Sequence, residues 1–393
     1  MVQVHSEMES SARIRVIGIG GSGKNAINHM VASKVKGVDF IVINTDAQDL
    51  QQSSAKAKIH IGKNLTRGLG AGMNPAVGKR AAEETQSEIQ DTLRGSDMVF
   101  IAGGMGGGTC TGAAPIVAKI AKETGALTVA VVTKPFSFEG QQRMRLAEQG
   151  LDELRKEVDA LIVIPNDRLL AVVDQNTTVR SAFALCDEVL RQAVEGVSDL
   201  ITTPGNINLD FADIKSIMED AGSALMGVGI AQGDKRAEEA ARLAINSPLL
   251  DISINGAKGV LLSIAGGEDL GLLEVQAAAQ IVTESIDKNA KVIFGTSKDE
   301  RLKKGEVRVT VIATGFPEEA SSVHGQPLFQ IGAKKEKKEE EQSGKIYNTV
   351  MPSRVDDEEI VPPVRRDMPA PKPAEEDDEW AAVPAFLRRN RKN

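Results

Sequence analysis

Three stretches of this chain could do chemistry through their backbone. The densest is Gly103-Gly104-Met105-Gly106-Gly107-Gly108-Thr109-Cys110-Thr111-Gly112, with six glycines in ten residues. It follows the apolar run Asp97–Ala102 and precedes Ala113–Ala121, which has helical spacing and Pro115 near its start. The order strand, glycine loop, helix lets backbone N–H groups crowd an anion, and the helix N-terminus adds its positive dipole end. A second loop, Gly18-Ile19-Gly20-Gly21-Ser22-Gly23-Lys24-Asn25, joins an apolar strand, Ile14–Ile19, to a helix with apolar Ala26, Ile27, Met30 and Val31. Gly18, Gly20 and Gly23 match a dinucleotide fingerprint, with Asp46 at the distance of a ribose contact. Gly18, Gly23 and Lys24 also approach a P-loop, but Asn25 replaces the hydroxyl residue that would hold Mg²⁺. The Asn25 amide could bond local backbone or, having donor and acceptor, read a nucleobase. The third loop, Thr66–Pro75, includes Ala71 and Gly72. Three such loops exceed what a dinucleotide fold needs and suit a polyphosphate held from several sides.

Side chains with matching chemistry follow. Glu139 and Arg143 stand four apart after the buried strand Ala126–Thr133. They read as a solvated i,i+4 pair or, at the carboxyl end of a strand, as groups for a sugar and its phosphates. A long helix over Thr177–Leu200, capped by Asn176 or Thr177, has a 3.6-residue apolar period that puts Phe183 in the core. Were its start to face the glycine loops, Phe183 could stack on a base, and the Asp187 carboxylate would suit the N1–H and amine of guanine. Asp210 and Asp213, three apart, read first as carboxylates favoured at a helix N-terminus.

The elements that must position these groups are strands rich in Val, Ile, Leu and Ala: 14–19, 39–44, 58–61, 97–102, 126–133 and 160–164. Alternating with helices, they imply an α/β fold with a buried parallel sheet. The chain has 393 residues, enough for two or three domains, and 41% are hydrophobic. Its net charge of −8 argues against a general nucleic-acid binder. Cys110 and Cys186 are its only cysteines, which fits a reducing cytosol without a disulfide framework. The N-terminus has no signal-peptide pattern, and no apolar run reaches membrane-spanning length. His5, His29, His60 and His324 lack metal-ligand spacing, so no metal ligands are assigned.

The last quarter is different material. Residues 317–376 carry mixed charge and Pro-rich segments, and read as a disordered linker, like residues 1–12 at the other end. Residues 377–393 end in an apolar cluster, Trp380, Val383, Phe386 and Leu387, followed by basic residues, as in a peptide that docks in a partner's groove.

Taken together, the chain resembles the tubulin/FtsZ family of cell-division GTPases. The resemblance rests on the Gly20–Asn25 loop, the Gly106–Gly112 run, Lys134–Arg143, Asn208-Leu209-Asp210-Phe211-Ala212-Asp213 and the tail Val383-Pro384-Ala385-Phe386-Leu387. It covers about residues 13–316 and resumes at the tail. It implies a Rossmann-like parallel-sheet GTPase domain (13–176), a long central helix (177–201) and a smaller α+β second domain (202–316). Four strands of that second domain lie near 222–231, 258–265, 290–295 and 307–313. By resemblance, Gly21, Ser22, Gly23, Lys24 and Asn25, with Gly107, Gly108, Thr109 and Cys110, would hold the phosphates of GTP or GDP. Ala71 and Gly72 would lie near the γ-phosphate, and Glu139 and Arg143 near the sugar. Asn25 and Asp187 would read guanine, with Phe183 against the ring. Asn208, Asp210 and Asp213 would act from the next subunit of a head-to-tail filament, orienting the attacking water, with Mg²⁺ held mainly by the phosphates. Val383, Pro384, Phe386 and Leu387 would bind membrane-tethering adaptors of the FtsA or ZipA kind, so the membrane is met only indirectly. The role implied is the cytoplasmic division (Z) ring of bacteria at midcell.

Three positions depart from the family pattern. Cys110 stands where glycine is usual; it could crowd the phosphates and slow turnover, become a low-pKa thiol, or fit a helical backbone without consequence. Asn206 replaces an apolar residue, which bears on loop packing. Lys24 replaces Gly or Asn and adds a nearby positive charge. Two rival readings are a nicotinamide dehydrogenase, from the first fingerprint alone, and a filament former that does not hydrolyse GTP.

Overall fold

Ile14–Ile19 (β1), Val38–Asn44 (β2), Ala57–His60 (β3), Met98–Gly104 (β4), Leu127–Lys134 (β5) and Ala160–Pro165 (β6) run parallel in the order β3-β2-β1-β4-β5-β6. This is the doubly wound order, and its switch point falls between β1 and β4. The computed structural model of the chain describes residues 12–170, 177–203, 209–250, 254–299 and 301–316. The expectations at Asn206 and Asn208, for the 317–376 linker, for the tail residues Val383, Pro384, Phe386 and Leu387, and for residues 1–11 lie outside those described.

The strands are apolar throughout because both faces of the sheet are covered. Ile14, Val16, Met98 and Phe100 point into one core; Ile17, Ile19, Val99 and Ile101 point into the other. Each such side chain, fully buried, contributes about 1.5–3 kcal/mol. The Gly20–Ala32 helix and the central helix, Val179–Thr202, belong to the first core; the Thr109–Glu123 helix belongs to the second.

The central helix starts two residues later than its apolar period predicts, and its cap is neither Asn176 nor Thr177. Thr178 has an extended backbone, so its hydroxyl reaches the Ser181 amide at 3.1 Å. Asn176 lies outside the described residues.

The second set of strands is Gly222–Gln232 (β7), Gly259–Gly266 (β8), Lys291–Lys298 (β9) and Glu306–Thr314 (β10). β10 runs antiparallel between β7 and β8, and β9 lies parallel on β8. These are the four predicted strands, but they do not form an isolated sheet. The first residues of β7 pair parallel with β6, Ala160 with Gly222 through Ile162 with Ala224, so ten strands are continuous. From Leu225 onward β7 pairs with β10 instead. The helices Arg236–Ile245 and Leu272–Glu284 cover one face of this second sheet. The central helix lies against the other closely enough that a Cβ on Gly196 would stand 3.0 Å from Thr310 Cγ2.

A buried ionic network crosses that contact. Glu195, 2% exposed, pairs with Arg191 of its own helix and with Arg301 Nη2 at 2.5 Å, with Arg308 Nη1 at 3.8 Å. Asp299 binds Arg301 Nε and Arg308 Nη2, each at 2.9 Å. Burial and the neighbouring Glu195 push the Asp199 carboxyl up to about 7. No helix among the described residues is long and apolar enough to cross a membrane.

Candidate nucleotide site at the switch point

The first two glycine loops meet where β1 and β4 end. A Cβ on Gly20, whose φ is +72°, would lie 3.5 Å from the Cys110 amide nitrogen. One on Gly104 would lie 2.9 Å from Ser22 Oγ. The third loop closes on the Gly103–Gly112 loop: a Cβ on Gly108 would stand 2.8 Å from that of Ala71. Around Gly107 and Gly72 the space is open.

Some helices of the molecule are capped by their own side chains and others are not. Asp46, Asn74, Thr178 and Asp210 each cap a helix with a side-chain oxygen. The Gly20–Ala32 and Thr109–Glu123 helices, which follow the glycine loops, have no side-chain cap and no acidic residue in the first turn. Their leading amides and positive dipole ends are left for an outside anion. Thr109 is oriented from behind, its hydroxyl 2.9 Å from that of buried Thr45, whose carbonyl in turn takes His60 Nε2 at 2.9 Å.

A cleft opens beside the loops. Six residues singled out in the sequence line it: Ser22, Asn25, Glu139, Arg143, Phe183 and Asp187. Glu139 sits in a 3-10 turn, Ser137–Glu139, and is not a solvated partner. Its side chain is 11% exposed; Oε1 accepts from the Phe136 amide at 2.8 Å and Oε2 meets Arg143 Nη1 at 3.1 Å. Phe183 is not core. It is 42% exposed at the cleft, edge-on to Phe136 with centroids 5.4 Å apart, and Phe136 stacks on Phe138. Helical period reports the side a residue faces but not whether a neighbouring element covers it. Burial pushes the Asp187 carboxyl up to about 6, against the pull of His29 and Lys24.

Sequence reasoning missed Asn166, Thr133 and Cys186, which also line the cleft. Asn166 carries the strongest signal. Among the described residues, three buried side-chain polar atoms lack a partner, and two of them, Asn166 Oδ1 and Arg143 Nε, belong to cleft-lining residues. An orphaned buried polar atom costs about 1–3 kcal/mol, so two at one cleft point to a ligand that would satisfy them.

Other positions come out differently from expectation. Lys24 is buried and ion-paired, its Nζ 2.6 Å from Asp49 Oδ1, and does not line the cleft. Asp46 is not a ribose ligand in waiting, since its Oδ1 accepts from the Gln48 and Asp49 amides at 2.9 and 3.0 Å. Cys110 neither crowds the loops nor carries an acidic thiol. Its side chain turns inward, Sγ 4.0 Å from Met105 Sδ and 2.5 Å from where a Gly103 Cβ would be, and burial pushes the thiol up to about 12. Its φ is not positive, so the residue bears no left-handed strain. Asp210 and Asp213 are exposed at the start of the Phe211–Met218 helix and do not line the cleft. Asp210 Oδ1 accepts from the Ala212 amide at 3.3 Å.

A doubly wound sheet with two uncapped helix starts and a base-sized cleft at its switch point defines a nucleotide-binding α/β protein. Residues 13–174 match the model of the GTPase domain of the Tubulin/FtsZ family, and residues 222–317 that of the FtsZ C-terminal domain. An empty FtsZ dimer from M. jannaschii superposes with TM-score 0.76 at 48% identity, over 78% of this chain and 89% of that one. CetZ2 from Haloferax volcanii, a GTPγS-bound protofilament, shares the fold at 21% identity and TM-score 0.66, over 79% of this chain and 96% of its own. CetZ1 from the same organism, a GDP-bound monomer, does so at 21% and 0.68, over 78% and 94%. The chain belongs to the tubulin/FtsZ family and is a GTPase. The dehydrogenase reading falls with that assignment.

Proposed function

We propose that this protein assembles head to tail into protofilaments, hydrolyses GTP at a site completed by the next subunit, and builds the cytokinetic ring of a dividing cell. The ring is proposed for prokaryotic division as a class, the Z ring of bacteria included, because an archaeal FtsZ is 48% identical. That relative is a dimer and the more distant CetZ2 is a protofilament, which supports longitudinal assembly.

One observation carries the reading of a shared site. The cleft offers two carboxylates, Glu139 and Asp187, and neither is free beside the glycine loops: Glu139 is held by Arg143 and the Phe136 amide, and Asp187 stands on the central helix beside Phe183. Two exposed carboxylates, Asp210 and Asp213, stand on another element. Presented to a neighbour's loops, with Asn208, they would orient the attacking water there. Within the nucleotide-holding subunit, Gly21, Ser22, Gly23, Gly107, Gly108 and Thr109 would bind phosphates through the two uncapped helix starts. Ala71 and Gly72 would bound the γ-phosphate, Glu139 and Arg143 would hold the sugar, and Asn25 and Asp187 would read guanine against Phe183. Cys110 contributes its amide alone. No group of three or more His, Cys, Asp or Glu side chains among the described residues could hold a metal, so Mg²⁺ would draw its ligands mainly from the phosphates and supply charge compensation. Val383, Pro384, Phe386 and Leu387 would dock on adaptors of the FtsA or ZipA type at a cytoplasmic, midcell location.

Phosphate release measured against protein concentration, with light scattering alongside, tests this. Specific activity should rise steeply above a threshold where scattering begins. Asp210→Ala should bind GTP and assemble with release reduced at least tenfold. Activity proportional to concentration, without a threshold, would sink the shared site.

A further inference from the structure

Behind the Gly103–Gly112 loop stands a hydroxyl that the proposed nucleotide contacts leave without a task. Thr45 follows the last residue of β2 and is wholly buried. Its backbone is clamped. The carbonyl accepts from His60 Nε2, at the end of β3, at 2.9 Å and from Thr66 Oγ1 at 3.4 Å. On one side of it Asn44 Nδ2 donates to Asp49 Oδ2 at 2.8 Å; on the other Asp46 Oδ1 caps the Ala47–Gln51 helix. The Thr45 hydroxyl is thereby held in place. Among the described residues it has one hydrogen-bond partner, Thr109 Oγ1 at 2.9 Å, and the Thr109 hydroxyl has no other. The Thr109 side chain lies between Thr45 and the Gly18–Asn25 loop, its Cβ 3.5 Å from where a Gly20 Cβ would be, and it stays partly exposed.

Two hydroxyls share this one hydrogen bond, and only one of their two protons can lie in it. If Thr109 donated, the Thr45 proton would be left buried with no acceptor among the described residues, and Thr109 would turn lone pairs toward an arriving phosphate. If Thr45 donates, its proton is used, and the Thr109 proton is free to point out toward the glycine loops. Buried polar groups take the arrangement that satisfies them, which selects Thr45 as the donor. A hydroxyl that accepts one hydrogen bond is also polarised into a stronger donor of the next.

We infer that Thr45 is a positioning residue for the phosphates: from the end of β2 it donates to Thr109 Oγ1 and so makes the Thr109 hydroxyl a committed donor to a phosphate oxygen. This rests on the reading of Thr109 as a phosphate ligand. A lone hydroxyl can give or accept and so discriminates little. One whose acceptor side is filled from behind favours an anion. Thr45 thus does for a side chain what the two uncapped helix starts do with their amides.

A double-mutant cycle on the full chain, read as GDP affinity by titration calorimetry, tests the relay. Thr45→Val keeps the shape and removes the proton, and should weaken GDP binding roughly fivefold. Thr45→Ala, which lacks the hydroxyl without the added methyl, should do the same. Thr45→Ser restores the hydroxyl and should bind within about twofold of wild type. Thr109→Ala should weaken binding roughly tenfold, and adding Thr45→Val to it should weaken binding no further. Wild-type affinity in Thr45→Val or Thr45→Ala overturns the inference. So does a serine variant as weak as these two. A second fivefold loss when Thr45→Val is added to Thr109→Ala overturns it as well, because the residue would then brace the fold without acting through Thr109. Failure of the reading beneath looks different: Thr109→Ala would bind GDP as tightly as wild type. Weak binding in Thr109→Ala with wild-type binding in Thr45→Val refutes only the role of Thr45.

Discussion

At the start of the central helix, Phe183 and Asp187 look into a cleft where Arg143 Nε and Asn166 Oδ1 have no partner among the described residues. Toward its end, Arg191 and Glu195 are no less buried, but they meet Arg301, Arg308 and Asp299 in an interlocked set of ion pairs. Composition does not distinguish the two clusters, since each mixes arginine with carboxylates. Satisfaction does. A folded chain pairs its buried polar groups wherever it has material to do so. Groups left over therefore mark where something outside the chain belongs, and groups fully paired mark a joint. The first cluster is the one the proposed nucleotide site would draw on, and the second holds the second sheet onto the central helix.

Breaking the joint should have the largest effect. Glu195→Gln leaves Arg191 and Arg301 facing a neutral group in a buried place, which should cost about 3–5 kcal/mol. Urea unfolding of the full chain measures it. GDP affinity of the folded fraction should stay within about twofold, because no residue of this cluster lines the cleft. A loss below about 1 kcal/mol would mean that the network is no brace.

Next in size is a gain. Asp199 has its carboxyl raised to about 7, so between about pH 4 and 7 the folded chain holds a proton that the unfolded chain releases. Stability from this group is therefore full below the unfolded value and declines as pH rises toward 7 and beyond. Asp199→Asn removes the charge that must be buried at high pH. It should raise stability by ~1–3 kcal/mol at pH 8 and change little at pH 4. Denaturation at the two pH values checks the sign; a variant less stable at pH 8 than wild type would show a paired Asp199 that the joint requires.

The complementary change in the cleft should spare the fold and weaken binding. Asn166→Ala removes an acceptor that has no partner among the described residues, so urea stability should stay level or rise slightly. GDP affinity should fall about tenfold, the equivalent of roughly 1.4 kcal/mol, within the usual range for a lost hydrogen bond. If stability fell and affinity held, the contrast between the clusters would be misdrawn.

Much of this was legible from residues alone, and the boundary of legibility is physical. β1 and β4 with their loops stood out because apolar runs and glycine density are local signals that report both a strand and its turn. The four strands of the second sheet, expected from the family resemblance, lie within three residues of their expected bounds. The junction of the two sheets was not legible, because three residue pairs between β6 and β7 leave no periodic trace. Phe183 was read as core since a 3.6-residue period cannot tell a covered face from a cleft. Lys24 looked like a free cation because its partner, Asp49, lies 25 residues away. Asn166 carried no motif at all; it is recognisable only once the fold leaves its oxygen without a donor.

Cys110 gives the smallest expected effect and tests whether loop chemistry follows side-chain identity or direction. Its sulfur lies on the core side of the Thr109–Glu123 helix, against Met105 and Gly103, while the amide remains in the first turn. Substitution by glycine, the residue usual in the family, should therefore leave GTP turnover within about twofold. It should also cost the fold roughly 1 kcal/mol, from the lower helix propensity of glycine and the emptied contact. Because burial raises the thiol to about 12, iodoacetamide should label the native chain far more slowly than the unfolded one at pH 8. A variant that turned over GTP many times faster would mean that the cysteine acts on the phosphates after all, through a rearrangement of the Gly103–Gly112 loop on nucleotide binding. Unchanged turnover with slow labelling would place Cys110 with the paired, structural half of the molecule, although it stands in the middle of its most chemical stretch of sequence.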